Sequence, residues 1–301
     1  MGEPRVQIFF LGTGAAEGYP ALFCNCDNCQ RARALGGRNL RCRSSVLVND
    51  DLLVDYGPDT SAQCIRFGID LTCVKHLLIT HSHGDHLTAF DLEHRKLESR
   101  LKGTLEPLAV LGNQTSLERL VEQMRYVLVH QFDDNMAVIQ PTDEETIEEM
   151  AGFLSMKTEA IEPHQTLDLG RYIVHPVHAR HKEHELSLNY IIDDGSTRFL
   201  YGTDTGPWAD SEWEYLDSLG ITLDIVALDC TVGLGIPGGH HSNESFLETK
   251  AKLEQRGLLS EGALFYAHHF SHQWNVPYDD VVEIMAPHGV RVTYDGLMVE
   301  K

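Results

Sequence analysis

Positive charge is scarce in this 301-residue chain: 24 Lys and Arg stand against 45 Asp and Glu, a formal net charge of −21 with histidines neutral. A field of that sign repels phosphate backbones. Extended nucleic acid is therefore not expected as a partner, since a few bound divalent cations would reverse the sign only locally. Long apolar runs are absent too. Nothing approaches the roughly 18 apolar residues of a membrane span. The apolar start is flanked by Glu3 and Arg5 with no net basic segment, so it reads as a buried first strand and not as a signal peptide. A soluble, cytoplasmic protein with no membrane partner is expected. A disulfide framework is missing as well. The seven cysteines are odd in number, and Cys24, Cys26 and Cys29 are packed into "CNCDNC", which suits reduced thiols holding a metal.

What remains is an ordinary globular composition, 42% hydrophobic and 23% charged, on a chain long enough to bury a large core without staples. Strands are expected at Gln7 to Leu11, at "SSVLVND" and "DLLVDYG" as a hairpin, and at "VKHLLIT". Further strands are expected at "LAVLGN", "RYIVHPVHARH", "LSLNYIIDD", "TRFLYGTDTG", "LDIVALDC", "ALFYAHHF" and "VRVTYDG". Helices are expected at Thr60 to Phe67, "LTAFDLEHRKLESRL", Ser116 to His130, Asn243 to Arg256 and Asp279 to Ala286. The whole is one domain over 1–301, with a Cys-rich loop at 20–43 and an acidic insertion or cap at about 131–160. "LLVDYGPD" and "FLYGTDTG" both read as strands ending in an Asp-containing turn, a sign of two similar halves, each a sheet with helices outside.

The 17 histidines are many, and most fall at 81–86, 175–184, 240–241 and 268–272. The densest group is "THSHGDH", straight after a buried strand. His81, His83 and His86 offer imidazole nitrogens and Asp85 a carboxylate, a mixture that suits zinc and other borderline metals. These are more ligands than one ion needs from one loop. His81 and His83 can face one ion while Asp85 and His86 face a second, about 3.5–4 Å away.

His-x-His-x-Asp-His after a buried strand resembles the metallo-β-lactamase superfamily. That resemblance implies an α/β fold, an αββα sandwich of two mixed sheets flanked by helices, with metals at the sheet edges. It implies three further ligands downstream. His181 matches the first, with His178 and His184 as rivals. Asp204 in "YGTDTG" matches the bridging carboxylate, and His269 the last ligand, with His268 as runner-up. Asp55 matches an aspartate that supports the ligands from behind. The centre would hold two divalent metals, zinc, manganese or iron.

"FLGTGAAEGYPALFCNCDNCQRAR" and "HHFSHQW" are similar to the phosphodiesterases of the carbon–phosphorus lyase pathway. In that family three cysteines and a late histidine bind a structural zinc; Cys24, Cys26, Cys29 and His272 match them here. Cofactor B-type proteins of pyrroloquinoline quinone biosynthesis carry a similar Cys-rich start but lack the full His-x-His-x-Asp-His set. The resemblance implies a phosphodiesterase that opens a small cyclic phosphate of the 5-phosphoribosyl 1,2-cyclic phosphate type, by attack of hydroxide generated at a dinuclear centre. Asp85 and His241 are its catalytic candidates, His241 as proton donor to the leaving group with His240 as rival. Arg41 and Arg43 are candidates for a second phosphate. The stretches 131–160 and 182–186 depart from the family pattern. A tRNA 3′-processing endonuclease shares the motifs but needs a basic arm that is not found here; a thioester or lactone hydrolase is the other alternative. A homodimer is the default assembly.

Overall fold

The computed structural model describes residues 6–97, 106–131 and 146–301. Two seven-stranded sheets face each other. The first runs β14 (Leu297–Glu300), β1 (Gln7–Gly12), β2 (Ser45–Val48), β3 (Leu52–Val54), β4 (His76–Leu78), β5 (Leu108–Gly112), β6 (Met156–Ala160). The second runs β13 (Arg291–Val292), β12 (Leu259–His268), β11 (Leu223–Asp229), β10 (Arg198–Gly202), β9 (Glu185–Asp193), β8 (Ile173–Lys182), β7 (Leu167–Asp168). Both sheets mix parallel and antiparallel pairs.

Alternation along each strand decides which residues turn inward. Ile8 and Phe10 of β1 share the layer between the sheets with Ile225 and Ala227 of β11. Val226 and Leu228 of the same strand turn outward, into a core with Trp213 and Leu216 of α6 (Asp210–Leu219) and Phe246 of α7 (Asn243–Gln255). Val281 and Met285 of α8 (Tyr278–Met285) join that outer core. On the first sheet's outer face, Leu117, Leu120 and Met124 of α4 (Gln114–Gln131) pack with Met150 of α5 (Ile147–Phe153). This is the expected αββα arrangement.

Three expectations are corrected. Residues 146–160 are no cap: α5, opened by a Thr146–Glu149 capping box, leads into β6, which pairs parallel to β5 as the sheet's edge. An edge strand with a solvent-facing side reads as polar, which hid it; residues 132–145 lie outside the described residues. The strand expected at "VRVTYDG" shrinks to β13, which closes the second sheet, and an unexpected β14 beyond it closes the first. The helix expected after the histidine turn is a 3₁₀ turn at Asp91–Glu93 and a short helix at His94–Leu97, and the stretch beyond it lies outside the described residues.

Candidate metal centre

The ends of β3, β4, β10, β11 and β12 bring Asp55, the histidine turn, Asp204, Asp229 and His269 together. The turn folds back on itself through the His86 amide, which donates to the His83 carbonyl at 3.0 Å. It is then stitched to the end of β3, where the Tyr56 amide donates to the His86 carbonyl and the Thr88 amide to the Tyr56 carbonyl, both at 2.8 Å. Contact is so close that a Cβ at Gly57 would stand 2.1 Å from the Asp85 carbonyl oxygen.

Asp204 lies at the middle. Its Oδ2 is 3.5 Å from Nε2 of His81 and 3.5 Å from Nε2 of His181. Its Oδ1 is 3.3 Å from Nε2 of His86 and 2.8 Å from Nε2 of His269. The ligand-type atoms fall into overlapping sets that share one carboxylate: His81, His83, His181, Asp204 and Asp85, His86, Asp204, His269, with a third, Asp204, Asp229, His240, His269, overlapping the second, each within 4.8 Å. His181 is the strand histidine that joins; His178 and His184 are exposed and stand in none of these sets. Asp55, Asp204 and His269 adopt left-handed backbone, with φ of 64°, 56° and 60°, which costs non-glycine residues energy and clusters at functional sites.

Behind the centre, the Nδ1 atoms of four histidines are occupied, which turns each Nε2 inward. His86 Nδ1 is 2.7 Å from Asp55 Oδ2, and His269 Nδ1 is 2.7 Å from Thr231 Oγ1. His181 Nδ1 donates to the Gly239 carbonyl at 3.0 Å, and His81 Nδ1 is 3.0 Å from Thr80 Oγ1. The sequence reading missed Glu185, whose two oxygens accept from the Ser82 amide and hydroxyl at 2.6 and 2.8 Å. Chain spacing gives no signal for this pair, 103 residues apart.

Five buried atoms here, Nε2 of His81, His86 and His269, Oδ2 of Asp85 and Oδ1 of Asp204, face only one another's side chains and have no hydrogen-bond partner outside the cluster. Imidazole nitrogens and carboxylate oxygens buried against one another leave lone pairs that water cannot reach. Cations fit this donor set: neutral imidazoles and carboxylates are the ligands they require. Burial holds the His81 imidazole well below its usual range, hence neutral. Burial opposes charge on Asp204, but His269 and His86 outweigh it and keep the carboxyl well below the usual range.

The centre floors an open pocket of about 270 Å³. His240 lines it, with Nδ1 2.7 Å from Asp229 Oδ2. Burial pulls His240 down, yet Asp229 overrides it and lifts the imidazole to about 9. His241, the expected donor, does not line the pocket. It is fully buried, 3.1 Å from Ser245 Oγ through Nδ1, and burial lowers it to about 4. His268 is likewise buried and turned away, bonding Thr293. Of the two candidate phosphate anchors, Arg41 is buried, donating to Thr13 Oγ1 and the Thr293 carbonyl at 2.7 Å, and Arg43 is paired with Asp59 at 2.8 Å. Lys182 is the pocket's lysine.

Cys24, Cys26, Cys29 and His272 form a separate set within 4.8 Å. Cys26 Sγ is 3.6 Å from His272 Nδ1, and Asn28 Nδ2 donates to the His272 carbonyl at 3.1 Å. Burial opposes ionisation of Cys26, but the backbone at Cys29 and the His272 side chain bring it down to about 6. Three thiols and an imidazole in one set are a composition that suits zinc. Cys42 stands apart, its amide bound to Asp295.

Residues 51–260 match the beta-lactamase superfamily domain. The chain belongs to that superfamily. It is similar to the octanoyltransferase of Porphyromonas gingivalis, 26% identical over 97% of this chain and 51% of that protein. The chain spans about half or less of the curated relatives it matches. Among solved structures it resembles a diphosphatase from the PhnP family, at TM-score 0.73 and 24% identity over 99% of this chain and 98% of the other. It also resembles zinc-bound PqqB from Methylobacterium extorquens, at TM-score 0.67 and 16% identity over 97% and 99%. No helix among the described residues is long and apolar enough to cross a membrane.

Proposed function

We propose that the chain is a metal-dependent hydrolase of small phosphodiesters. The observation that carries this reading is the paired donor set joined by Asp204 at the floor of a pocket that also holds the His240–Asp229 pair. Two divalent cations, held by His81, His83 and His181 on one side, Asp85, His86 and His269 on the other, and Asp204 between, would supply Lewis acidity toward phosphoryl oxygens and the attacking water.

The chain's own residues do the rest. Asp55, Thr231 and the Gly239 carbonyl fix the imidazoles, so no reorganisation is needed as charge develops. Asp85 lines the pocket beside His86 and is placed to orient the attacking water. His240, held at Nδ1 by Asp229, keeps Nε2 to give a proton to the departing alkoxide, a step worth about 10²–10⁴ in rate. Lys182 meets a substrate anion. The pocket's size and the net charge of −21 favour a small ester over extended nucleic acid.

The finer reading is ring-opening of a small cyclic phosphate of the 5-phosphoribosyl 1,2-cyclic phosphate type. Its support is the likeness of "CNCDNC" and "HHFSHQW" to the carbon–phosphorus lyase phosphodiesterases and of the fold to the PhnP-family diphosphatase. With Arg41 and Arg43 committed elsewhere, a second phosphate would fall to Lys182. The test is metal counting by mass spectrometry followed by assay of the same sample on bis(p-nitrophenyl) phosphate and a ribose cyclic phosphate. About three metals per chain with turnover supports both the sites and the chemistry. Full metal loading without diesterase activity sinks the phosphodiester reading and moves the search to thioesters and lactones.

A further inference from the structure

Trp274 lines the pocket, yet no part of the chemistry above uses it. It is 48% exposed, whereas Trp208 and Trp213, the other two tryptophans, are buried at 5% and 2%. Beside it the loop after β11 exposes Leu234 at 73% and Ile236 at 88%. Exposed large apolar side chains on one stretch of loop mark a contact surface.

The ring is held, not loose. The Leu234 amide donates to the Trp274 carbonyl at 3.3 Å. The next residue, Asn275, donates through Nδ2 to the carbonyls of Cys230 and Thr231 at 3.1 and 2.8 Å. The Asn275 carbonyl accepts from the Tyr19 hydroxyl at 3.0 Å. Gly233 and Gly235 make room for this packing. A Cβ at Gly233 would lie 2.4 Å from the Trp274 carbonyl oxygen, and one at Gly235 would lie 2.9 Å from Trp274 Cε3. The indole therefore rests against bare backbone, and its backbone is pinned from both sides. Gln273 Nε2 donates to Glu17 Oε1 at 3.0 Å, tying the adjoining rim.

We propose that Trp274 is the platform of a ring-binding subsite, so that the substrate is a phosphodiester bearing a planar, unsaturated ring such as a nucleobase. The proposal rests on the phosphodiesterase reading and puts a base-bearing diester in place of the plain sugar phosphate as its substrate. A flat, fixed aromatic beside a phosphate-binding floor suits a flat partner, and stacking tolerates any base because every base has a π-face. A plain sugar phosphate leaves the indole without a partner. Stacking of this kind amounts to roughly tenfold or more in affinity.

The test compares adenosine monophosphate with ribose 5-phosphate, two phosphates that differ by the ring, on the metal-loaded protein by isothermal titration. Adenosine monophosphate is expected to bind about tenfold more tightly and to quench tryptophan fluorescence, since Trp274 is the one accessible indole. In a Trp274→Ala protein carrying the wild-type metal content the two affinities should converge, and Trp274→Phe should restore part of the gap. Equal affinities in the wild type, a gap that survives Trp274→Ala, or no binding of either compound at millimolar concentration overturns the proposal. Hydrolysis of bis(p-nitrophenyl) phosphate is measured in parallel, so a failure of the phosphodiesterase reading shows there and not in the affinity ratio.

Discussion

Glu185 grips Ser82 with both carboxylate oxygens, at 2.6 Å to the amide and 2.8 Å to the hydroxyl. Ser82 separates His81 from His83, and Glu185 opens β9 just across the hairpin from His181 and Lys182. One carboxylate thus ties the turn that carries His81 and His83 to the hairpin that carries His181. Glu185→Ala should weaken cation binding at the His81–His83–His181 set by about 10–100-fold while the Asp85–His86–His269 set stays near wild type. Stepwise metal titration resolves the two; two unchanged steps would defeat the idea.

Asp204 offers one oxygen to each set. Asp204→Ala should therefore empty both, leaving about one metal per chain at the Cys₃His set. Mass spectrometry of the native protein reads the count directly. Retention of two active-centre metals would show that Asp204 does not bridge them.

The neighbouring histidines His240 and His241 are expected to separate. His240→Ala should lower turnover of alkyl diesters by about 10²–10⁴ with metal content intact, and the loss should shrink for p-nitrophenolate, which departs without a proton. His241→Ala should instead lower stability by about 1–3 kcal/mol, read by denaturant titration, because it strips a buried partner from Ser245. The reverse pattern would return the donor role to His241.

Gly57→Ala tests the stitching of the histidine turn. Its Cβ would meet the Asp85 carbonyl at 2.1 Å, a backbone atom that cannot swing aside. The variant should fold, keep its Cys₃His metal and lose affinity at the Asp85–His86–His269 set. Wild-type loading at that set would mean the turn tolerates displacement.

At the other set, Cys29 is buried and offers one of four ligand-type atoms. Cys29→Ser should remove one metal per chain and lower Tm by several degrees, because binding energy at a structural site is folding energy. A full metal count in this variant would assign the third metal elsewhere.

Much of this site is legible in the chain because "THSHGDH", "GTDTG" and "HHFSH" put ligand types at strand ends, where loops aim side chains at one point. Strand parity served less well among the histidines of β8. Pairing of β8 with β9 is irregular between Ala179 and Lys182, so simple alternation does not carry through to His181. Which of His240 and His241 reaches the pocket depends on how the backbone turns at Gly238 and Gly239, where a Cβ on Gly239 would lie 2.4 Å from the His181 carbonyl oxygen. Spacing does not encode that. Nor does it encode Glu185, whose role arises only when the hairpin folds over the turn. β6 and β14 escaped for a similar reason: both are edge strands, half polar by necessity.

The segment from His269 to His272 leaves the end of β12 carrying one residue of each centre. All four of its residues are buried, at 1%, 1%, 4% and 6% exposure. Phe270 at its middle is locked on both sides, its amide donating to the Thr13 carbonyl and its carbonyl accepting from the Ala15 amide, both at 3.0 Å. A short strut fixed in this way cannot shift at one end alone. Cation binding at the thiolate set and at the Asp204 sets is then expected to be linked, and reciprocity requires that the factor by which occupancy of the first changes affinity at the second equals the factor by which occupancy of the second changes affinity at the first. Redox damage to the exposed cysteine Cys26 would in that way be read out as weaker metal binding at the pocket.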